Sequence, residues 1–186
     1  MQELETRILD IDVEEIKEKI TNLGGYKVKD EDQVNKIFDF PDRRLLSAKG
    51  YARVRTIDDK INNKIVYFMT TKKMLSQEKY KVMEENEIIV DDGDTAEKLF
   101  NSLGLTLVET IKKSRESYKY KNTLVEIDIN DKNFCPFPYI EIETAHEDEL
   151  KEVVEALGYT MADTTSKTIY EILEERGLAK GDQKGL

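Results

Sequence analysis

The chain has 186 residues, of which 39 are acidic and 29 basic, for a formal charge of −10. Charged residues supply 37% of it against about 25% in an ordinary globular protein, yet the 39% apolar share suffices for one core and excludes global disorder. No apolar run approaches the roughly 18 residues that span a bilayer, and the net charge disfavours nucleic acid as a partner.

In chain order, Glu3–Leu9 reads as a first strand, and Asp12 then caps a helix with Val13, Ile16, Ile20 and Leu23 at 3-4-3 spacing, ended by Gly24. Short strands are predicted over Val34–Phe40, Tyr51–Ile57, Ile65–Lys72 and Glu84–Val90. Asp94 or Thr95 opens a second helix carrying Ala96, Leu99, Phe100 and Leu103 inward, with Gly104 as its stop. Strands follow over Lys113–Lys119, Thr123–Ile129 and Tyr139–Glu143. Thr144 and Glu147 form a capping-box pattern before Leu150, Val153, Val154 and Leu157, and Gly158 ends that helix. A fourth helix runs from about Ser166 to Arg176, closed by Gly177. No linker divides the chain, so one domain is expected over 1–177, with a polar tail at 178–186.

The rare residues are quickly placed. One histidine and one cysteine exclude a typical structural zinc site, and Cys135 has no internal disulfide partner. Cys135 precedes Pro136 in a turn and reads as structural; His146 falls in an exposed first helical turn with no nucleophile motif beside it. Met1-Gln-Glu-Leu-Glu5 lacks the basic and apolar regions of a secretory leader, and a cytoplasmic protein is expected.

Three times, a strand carrying Glu-x-Glu leads into a helix that ends Leu-Gly. Glu3-Leu-Glu5 leads to Gly24, Glu85-Asn-Glu87 to Gly104 and Glu141-Ile-Glu143 to Gly158, at intervals of 21, 19 and 17 residues. A recurring strand-to-helix connection explains the helices but not the carboxylate pairs. On a strand, residues i and i+2 share a face about 6.6–6.8 Å apart. Each Glu-x-Glu therefore presents two carboxylates together, as does Glu126-Ile-Asp128. Arg53-Val-Arg55, Lys113-Ser-Arg115, and Arg7 beside Glu3 and Glu5 do the same for bases, while Leu4, Val54, Ile127, Ile140 and Ile142 take the opposite face. Either this charged face is wetted by solvent, as one side of an antiparallel sheet often is, or the sheet curls it into a tunnel. A tunnel needs compensation for the desolvation of its charges, which hard cations on the carboxylates and an anion on the bases would supply.

The order of these motifs resembles the CYTH family, the triphosphate tunnel metalloenzymes. The resemblance rests on Glu3-Leu-Glu-Thr-Arg7, Lys36-Ile-Phe-Asp-Phe40, Tyr51-Ala-Arg-Val-Arg55, Met69-Thr-Thr-Lys72, Glu85-Asn-Glu87, Lys113-Ser-Arg115, Glu126-Ile-Asp128, Tyr139-Ile-Glu-Ile-Glu143 and Lys167-Thr-Ile-Tyr-Glu-Ile-Leu173. It implies an α+β fold, an eight-stranded antiparallel β-barrel with about four helices outside. By position it makes Glu3, Glu5, Asp128, Glu141 and Glu143 ligands for Mg²⁺ or Mn²⁺, with Glu85, Glu87 and Glu126 as second-choice ligands or outer-shell partners. It gives Arg7, Arg53, Arg55, Lys72, Lys113 and Arg115 to the phosphates of a triphosphate such as tripolyphosphate, ATP or thiamine triphosphate. Two positions depart from the family pattern: Arg7 replaces a lysine, and Met83 stands where an arginine is common, leaving that phosphate contact missing or supplied by Lys81.

The resemblance implies an enzyme whose nucleophile is a metal-activated water or a substrate hydroxyl. Triphosphate hydrolysis is the favoured reading, since it asks for a tunnel and a water. Class IV adenylyl cyclisation of ATP to cyclic AMP and pyrophosphate is the alternative, and a non-catalytic triphosphate-binding module a third. No sequence feature identifies a purine pocket, and a homodimer is compatible with everything above.

Overall fold

The computed structural model describes residues 2–78 and 80–180, with side chains from Leu4 onward. Eight strands close into an antiparallel barrel: β1 (Gln2–Leu9), β2 (Tyr26–Asp39), β3 (Tyr51–Asp59), β4 (Lys64–Gln77), β5 (Lys81–Val90), β6 (Thr106–Tyr120), β7 (Thr123–Asn130) and β8 (Tyr139–Thr144). Their order is β5-β4-β3-β2-β6-β7-β8-β1, and the β5–β1 pairing closes the ring through Gln2↔Glu84 to Glu5↔Lys81. A two-residue strand, β9 (Thr164–Thr165), pairs with β1 outside the barrel. The strand order is unchanged when β1–β4 are exchanged with β5–β8, so the barrel is two equivalent halves, each with a helix after its first strand.

All eight predicted strands are present, several of them longer than alternation suggested. β2 begins at Tyr26 because Tyr26, Lys27 and Lys29–Gln33 already pair with β6, across largely polar positions that carry no apolar rhythm. Helices α1 (Val13–Asn22), α3 (Gly93–Ser102), α4 (Glu147–Ala156) and α5 (Ile169–Glu175) occupy the predicted places, and a four-residue turn of helix, α2 (Arg44–Ser47), follows β2.

Two caps differ from the sequence reading. Asp92, rather than Asp94 or Thr95, caps α3, because its carboxylate accepts from both the Asp94 and Thr95 N–H groups. Thr144 does not cap α4: it is the last residue of β8, buried opposite Leu4, so the helix starts one residue after exposed His146. The fourth helix starts later than predicted, at a capping box formed by Thr168 and Glu171. Gly24, Gly104 and Gly158 hold φ of +87°, +88° and +87°, so the repeated Leu-Gly is one left-handed helix stop used three times.

The barrel is apolar outside and charged inside. Ile16 and Ile20 of α1 and Leu150, Val153, Val154 and Leu157 of α4 pack on the outward Ile8, Val125, Ile127, Ile140 and Ile142. Ala96 and Phe100 of α3 cover Phe38, Ala52 and Val54 of β2 and β3. Cys135 is buried with Phe137, Tyr139, Ile172 and Leu173, its thiol donating to the Phe137 carbonyl at 3.4 Å. Burial of these outward faces leaves the alternate side chains of every strand nowhere to go but the interior. No helix of the described residues is long and apolar enough to cross a membrane.

Candidate metal and triphosphate site

The interior holds a cavity of about 350 Å³ whose lining includes Glu5, Arg7, Arg53, Arg55, Lys72, Lys81, Glu85, Glu87, Lys113, Arg115, Glu126, Glu141 and Glu143. The two-residue spacing of the sequence motifs is what aims each pair inward. The charged face is therefore not a wet outer surface: Glu5, Arg7, Arg53, Arg115, Glu126, Asp128 and Glu141 are all buried. The backbone of Glu3 lies in β1 opposite Met83, and its side chain lies outside the described residues.

Each base is held by a carboxylate from another strand. Arg115 of β6 donates from Nε and Nη2 to both oxygens of Asp128, each at 2.6 Å, and from Nη2 to Glu141 at 2.7 Å; its Nη1 donates to Glu126. Lys113 reaches Asp128 at 2.6 Å. Arg7 pairs with Glu141, and its other terminal nitrogen donates to the Lys167 carbonyl at 2.7 Å. Lys72 bridges Glu5 at 3.2 Å and Glu85 at 2.7 Å, and Lys81 also pairs with Glu5. Arg55 forks onto Glu87 at 3.0 and 2.8 Å, while Arg53 sits 3.4 Å from Glu85 and 3.3 Å from Glu87. Thr70, which shares Lys72's face, donates to Glu87 at 2.6 Å.

These pairings set the charges. Burial disfavours the Glu5 carboxylate, but Lys72 and Lys81 outweigh it and hold the group at about 2. Burial likewise opposes ionisation of Glu141 and Asp128, and the surrounding cations still hold both below the usual carboxylate range. Three bases go the other way: burial and then Arg115 push Lys113 down, burial and then Arg53 push Arg55 down, and burial and then Arg7 push Lys81 down.

Glu143 is the exception among the acids. Burial, Glu126 and Glu5 drive its carboxyl well above the usual range, against the weaker pull of Lys72. One oxygen each from Glu126, Glu141 and Glu143 lies within 4.8 Å of the other two. An all-oxygen set converging on one point, with one member short of positive charge, fits a hard divalent cation. The bases fit an anion equally well: Arg7, Arg53 and Arg55 each keep a buried Nε–H without a hydrogen-bond acceptor. Asp128 and Glu5 fall outside this trio; like Glu126 and Glu141, both are engaged by cations.

The family model of the CYTH domain matches residues 1–169. The chain belongs to the CYTH domain family. CYTH proteins are metal-dependent enzymes that bind triphosphate substrates, and the acidic cluster inside this barrel is of the kind such an enzyme requires. Among relatives, the chain is 26% identical over 187 residues to a Methanocaldococcus jannaschii protein named "Putative adenylate cyclase MJ0240", covering 96% of this chain and all of that one. The structure of PH1012 protein from Pyrococcus horikoshii OT3 superposes with a TM-score of 0.75 at 27% identity, over 91% of this chain and 98% of the other. HpAC1 from Hippeastrum, described as a "putative adenylyl cyclase" that reveals a dominant triphosphatase activity, shares the fold with a TM-score of 0.62 at 16% identity, over 95% and 88% of the two chains.

Several lining residues escaped the sequence reading. Asn35 of β2 and Asn130 of β7 line the cavity, and Glu31 and Gln33, on the same face of β2 as Asn35, are buried beside it. Their only signal was polarity at i, i+2 and i+4, which reads identically for a strand facing solvent. Met83 does face the cavity, and Lys81, two residues before it, supplies a base on the same face.

Proposed function

We propose that this CYTH protein hydrolyses a triphosphate with a divalent cation, Mg²⁺ or Mn²⁺, in the barrel cavity. The observation that carries the reading is the convergence of Glu126, Glu141 and Glu143 oxygens within 4.8 Å beside arginines whose Nε–H groups are buried and unpaired. Glu126, Glu141 and Glu143 would hold the cation, and Glu5, across the β1–β8 ladder from Glu143, completes the acidic rim. A divalent cation there supplies charge neutralisation on phosphate oxygens and makes water more acidic.

The chain itself does the positioning. Arg53, Arg55 and Lys72 line the cavity from β3 and β4, Lys113 and Arg115 from β6, and Arg7 and Lys81 from β1 and β5, paired with Glu141 and Glu5. Bases spread over five strands fix three linked phosphates at several points, which a single phosphate cannot exploit. Glu85, Glu87 and Asp128 act by holding these bases in place before the substrate arrives, so that little reorganisation accompanies the build-up of negative charge. Water attack on the terminal phosphorus then breaks its bond to the bridging oxygen and releases orthophosphate and a diphosphate. The triphosphatase description of HpAC1 supports hydrolysis as a capability of this barrel.

The name of the Methanocaldococcus relative favours a second reading, in which the ribose 3′-hydroxyl of ATP attacks the α-phosphorus and releases pyrophosphate. Incubation with Mg²⁺ or Mn²⁺ and tripolyphosphate, ATP or thiamine triphosphate, resolving orthophosphate from pyrophosphate and cyclic AMP, separates the two. Orthophosphate as the first product is expected. Cyclic AMP and pyrophosphate from ATP would establish cyclisation, and no product from any of the three would leave the barrel a binding module.

A further inference from the structure

One base reaches the cavity through a bulge in its strand. Lys27 faces outward from β2, where it pairs with Glu116 at 2.5 Å. Two residues on, Lys29 would share that outer face in a regular strand. The register against β6 slips between them, from Lys27↔Tyr118 to Lys29↔Ser117, so Val28 is bulged and Lys29 turns into the cavity. There it heads a row that crosses five strands by their pairing: Lys29, Ser117, Glu126, Glu141 and Arg7.

The Lys29 Nζ lies 3.5 Å from Oε1 of Glu126, the same oxygen that accepts from the Ser117 hydroxyl at 3.0 Å. Among the described residues, Arg7, Arg115 and Lys29 pair with the Glu126 and Glu141 carboxylates. These cations are not equally movable. The side chains of Arg115 and Arg7 are 8% and 10% exposed, and Arg115 is tied to three carboxylates. That of Lys29 is 43% exposed, and its pair is long. A divalent ion entering the Glu126, Glu141 and Glu143 set meets these charges, and the half-solvated ammonium costs least to release because water takes over its solvation. Ser117 still orients Glu126 once the lysine has left. A monovalent ion has no such advantage. It brings no more charge than the ammonium it would replace, and the tether keeps that ammonium at a high effective concentration.

We infer that Lys29 is a tethered competitor of the metal: its ammonium pairs with Glu126 until a divalent cation binds, then leaves, and so sets how tightly that cation is held and keeps Na⁺ and K⁺ out of the site. The inference rests on the cation site proposed above and adds the group that guards it. It is independent of whether the chemistry is hydrolysis or cyclisation, because both need the same cation.

The test is isothermal titration of Mn²⁺ into the full chain without substrate. Lys29→Gln removes the charge and leaves Glu126 with Ser117 and Arg115, so the variant should fold as wild type. It should bind Mn²⁺ about fivefold more tightly, the upper end for a half-exposed ion pair. Lys29→Arg keeps the charge and should bind no more tightly than wild type. Lys151→Gln removes an exposed lysine from α4, outside the barrel, and should change the affinity by less than about twofold. Exchanging tetramethylammonium chloride for NaCl at equal ionic strength should weaken Mn²⁺ binding in Lys29→Gln and leave wild type unaffected. A gain of less than about twofold in Lys29→Gln, or an equal gain in Lys29→Arg or Lys151→Gln, would overturn the inference. Glu143→Gln separates its failure from that of the site. If Glu143→Gln weakens Mn²⁺ binding while Lys29→Gln changes nothing, the cation site stands and the competitor falls; if neither variant changes it, or no Mn²⁺ binds, both fall.

Discussion

Glu143→Gln tests the charge balance of the cavity in the direction that intuition would not choose. Glu143 has carboxylate neighbours in Glu126 and Glu141, with oxygens within 4.8 Å. At an effective dielectric of about 20, each such pair at full ionisation repels by about 3.5 kcal/mol. Glu143 avoids most of this by holding its proton more tightly, and Lys72 offsets part of the rest. An amide of nearly the same shape removes the repulsion and donates to a neighbouring carboxylate, so the metal-free protein should gain about 1–2 kcal/mol. For a chain of this size that is a rise of about 2–8 °C in melting temperature. The same change should weaken the cation. Wild type at a hundredfold excess of Mn²⁺ over its dissociation constant gains about 2.7 kcal/mol, and a hundredfold weaker variant only about 0.4 kcal/mol. Differential scanning calorimetry with and without Mn²⁺ reads both effects. A variant that melts lower than wild type without metal, yet gains as much from Mn²⁺, would refute the placement of Glu143 in a shared acidic cluster.

Elsewhere on the molecule, Glu116 accepts from Lys17 at 2.6 Å and Lys27 at 2.5 Å; burial opposes its charge, but these partners and Tyr118 hold it at about 2. A depressed carboxyl stabilises the fold above its unfolded value near 4.5 and loses that contribution as pH falls from about 5 toward 2. After discounting for solvent screening, Glu116→Gln should cost about 1–2 kcal/mol at pH 7 and flatten the acid limb of the stability curve measured by urea titration. Arg55→Ala should change metal-free stability by no more than about 1 kcal/mol, since Glu87 loses a partner while Arg53 and Arg115 lose a like charge. Its thermal stabilisation by a triphosphate should vanish; full retention of that response would place Arg55 outside the phosphate site. Tripolyphosphate should raise the melting temperature of wild type far more than orthophosphate at equal concentration, and equal shifts would indicate nonspecific anion binding. Gly104→Ala should cost about 1–2 kcal/mol in chemical denaturation although a Cβ there meets nothing within 4 Å, because the cost is the backbone at φ +88°.

The sequence alone determined the strands, the helices and the pairing of charges. Alternation is a local property, so Leu4, Val54, Ile127, Ile140 and Ile142 on one face imply Glu5, Arg53, Arg55, Glu126 and Glu141 on the other without any knowledge of the partner strand. A left-handed stop is equally local, which is why Leu-Gly marked three helix ends correctly. The choice between a wetted face and a tunnel is not local: it depends on Glu5 lying opposite Lys81 when β5 meets β1, across 76 residues of chain. The caps failed for a related reason. Asp92, Asp94 and Thr95 are all competent caps, and Thr144 is competent too until the β1–β8 ladder claims it. Least legible was β2. Glu31, Gln33 and Asn35 carry the pattern of a solvent-facing strand, and only closure of the barrel turns that face inward, where hydrogen bonds from Gln33 to Glu31 and from Asn35 to Gln33 leave one acceptor open to the cavity. Polarity says that a side chain will seek a polar partner; the tertiary structure decides whether that partner is water, another residue or a ligand.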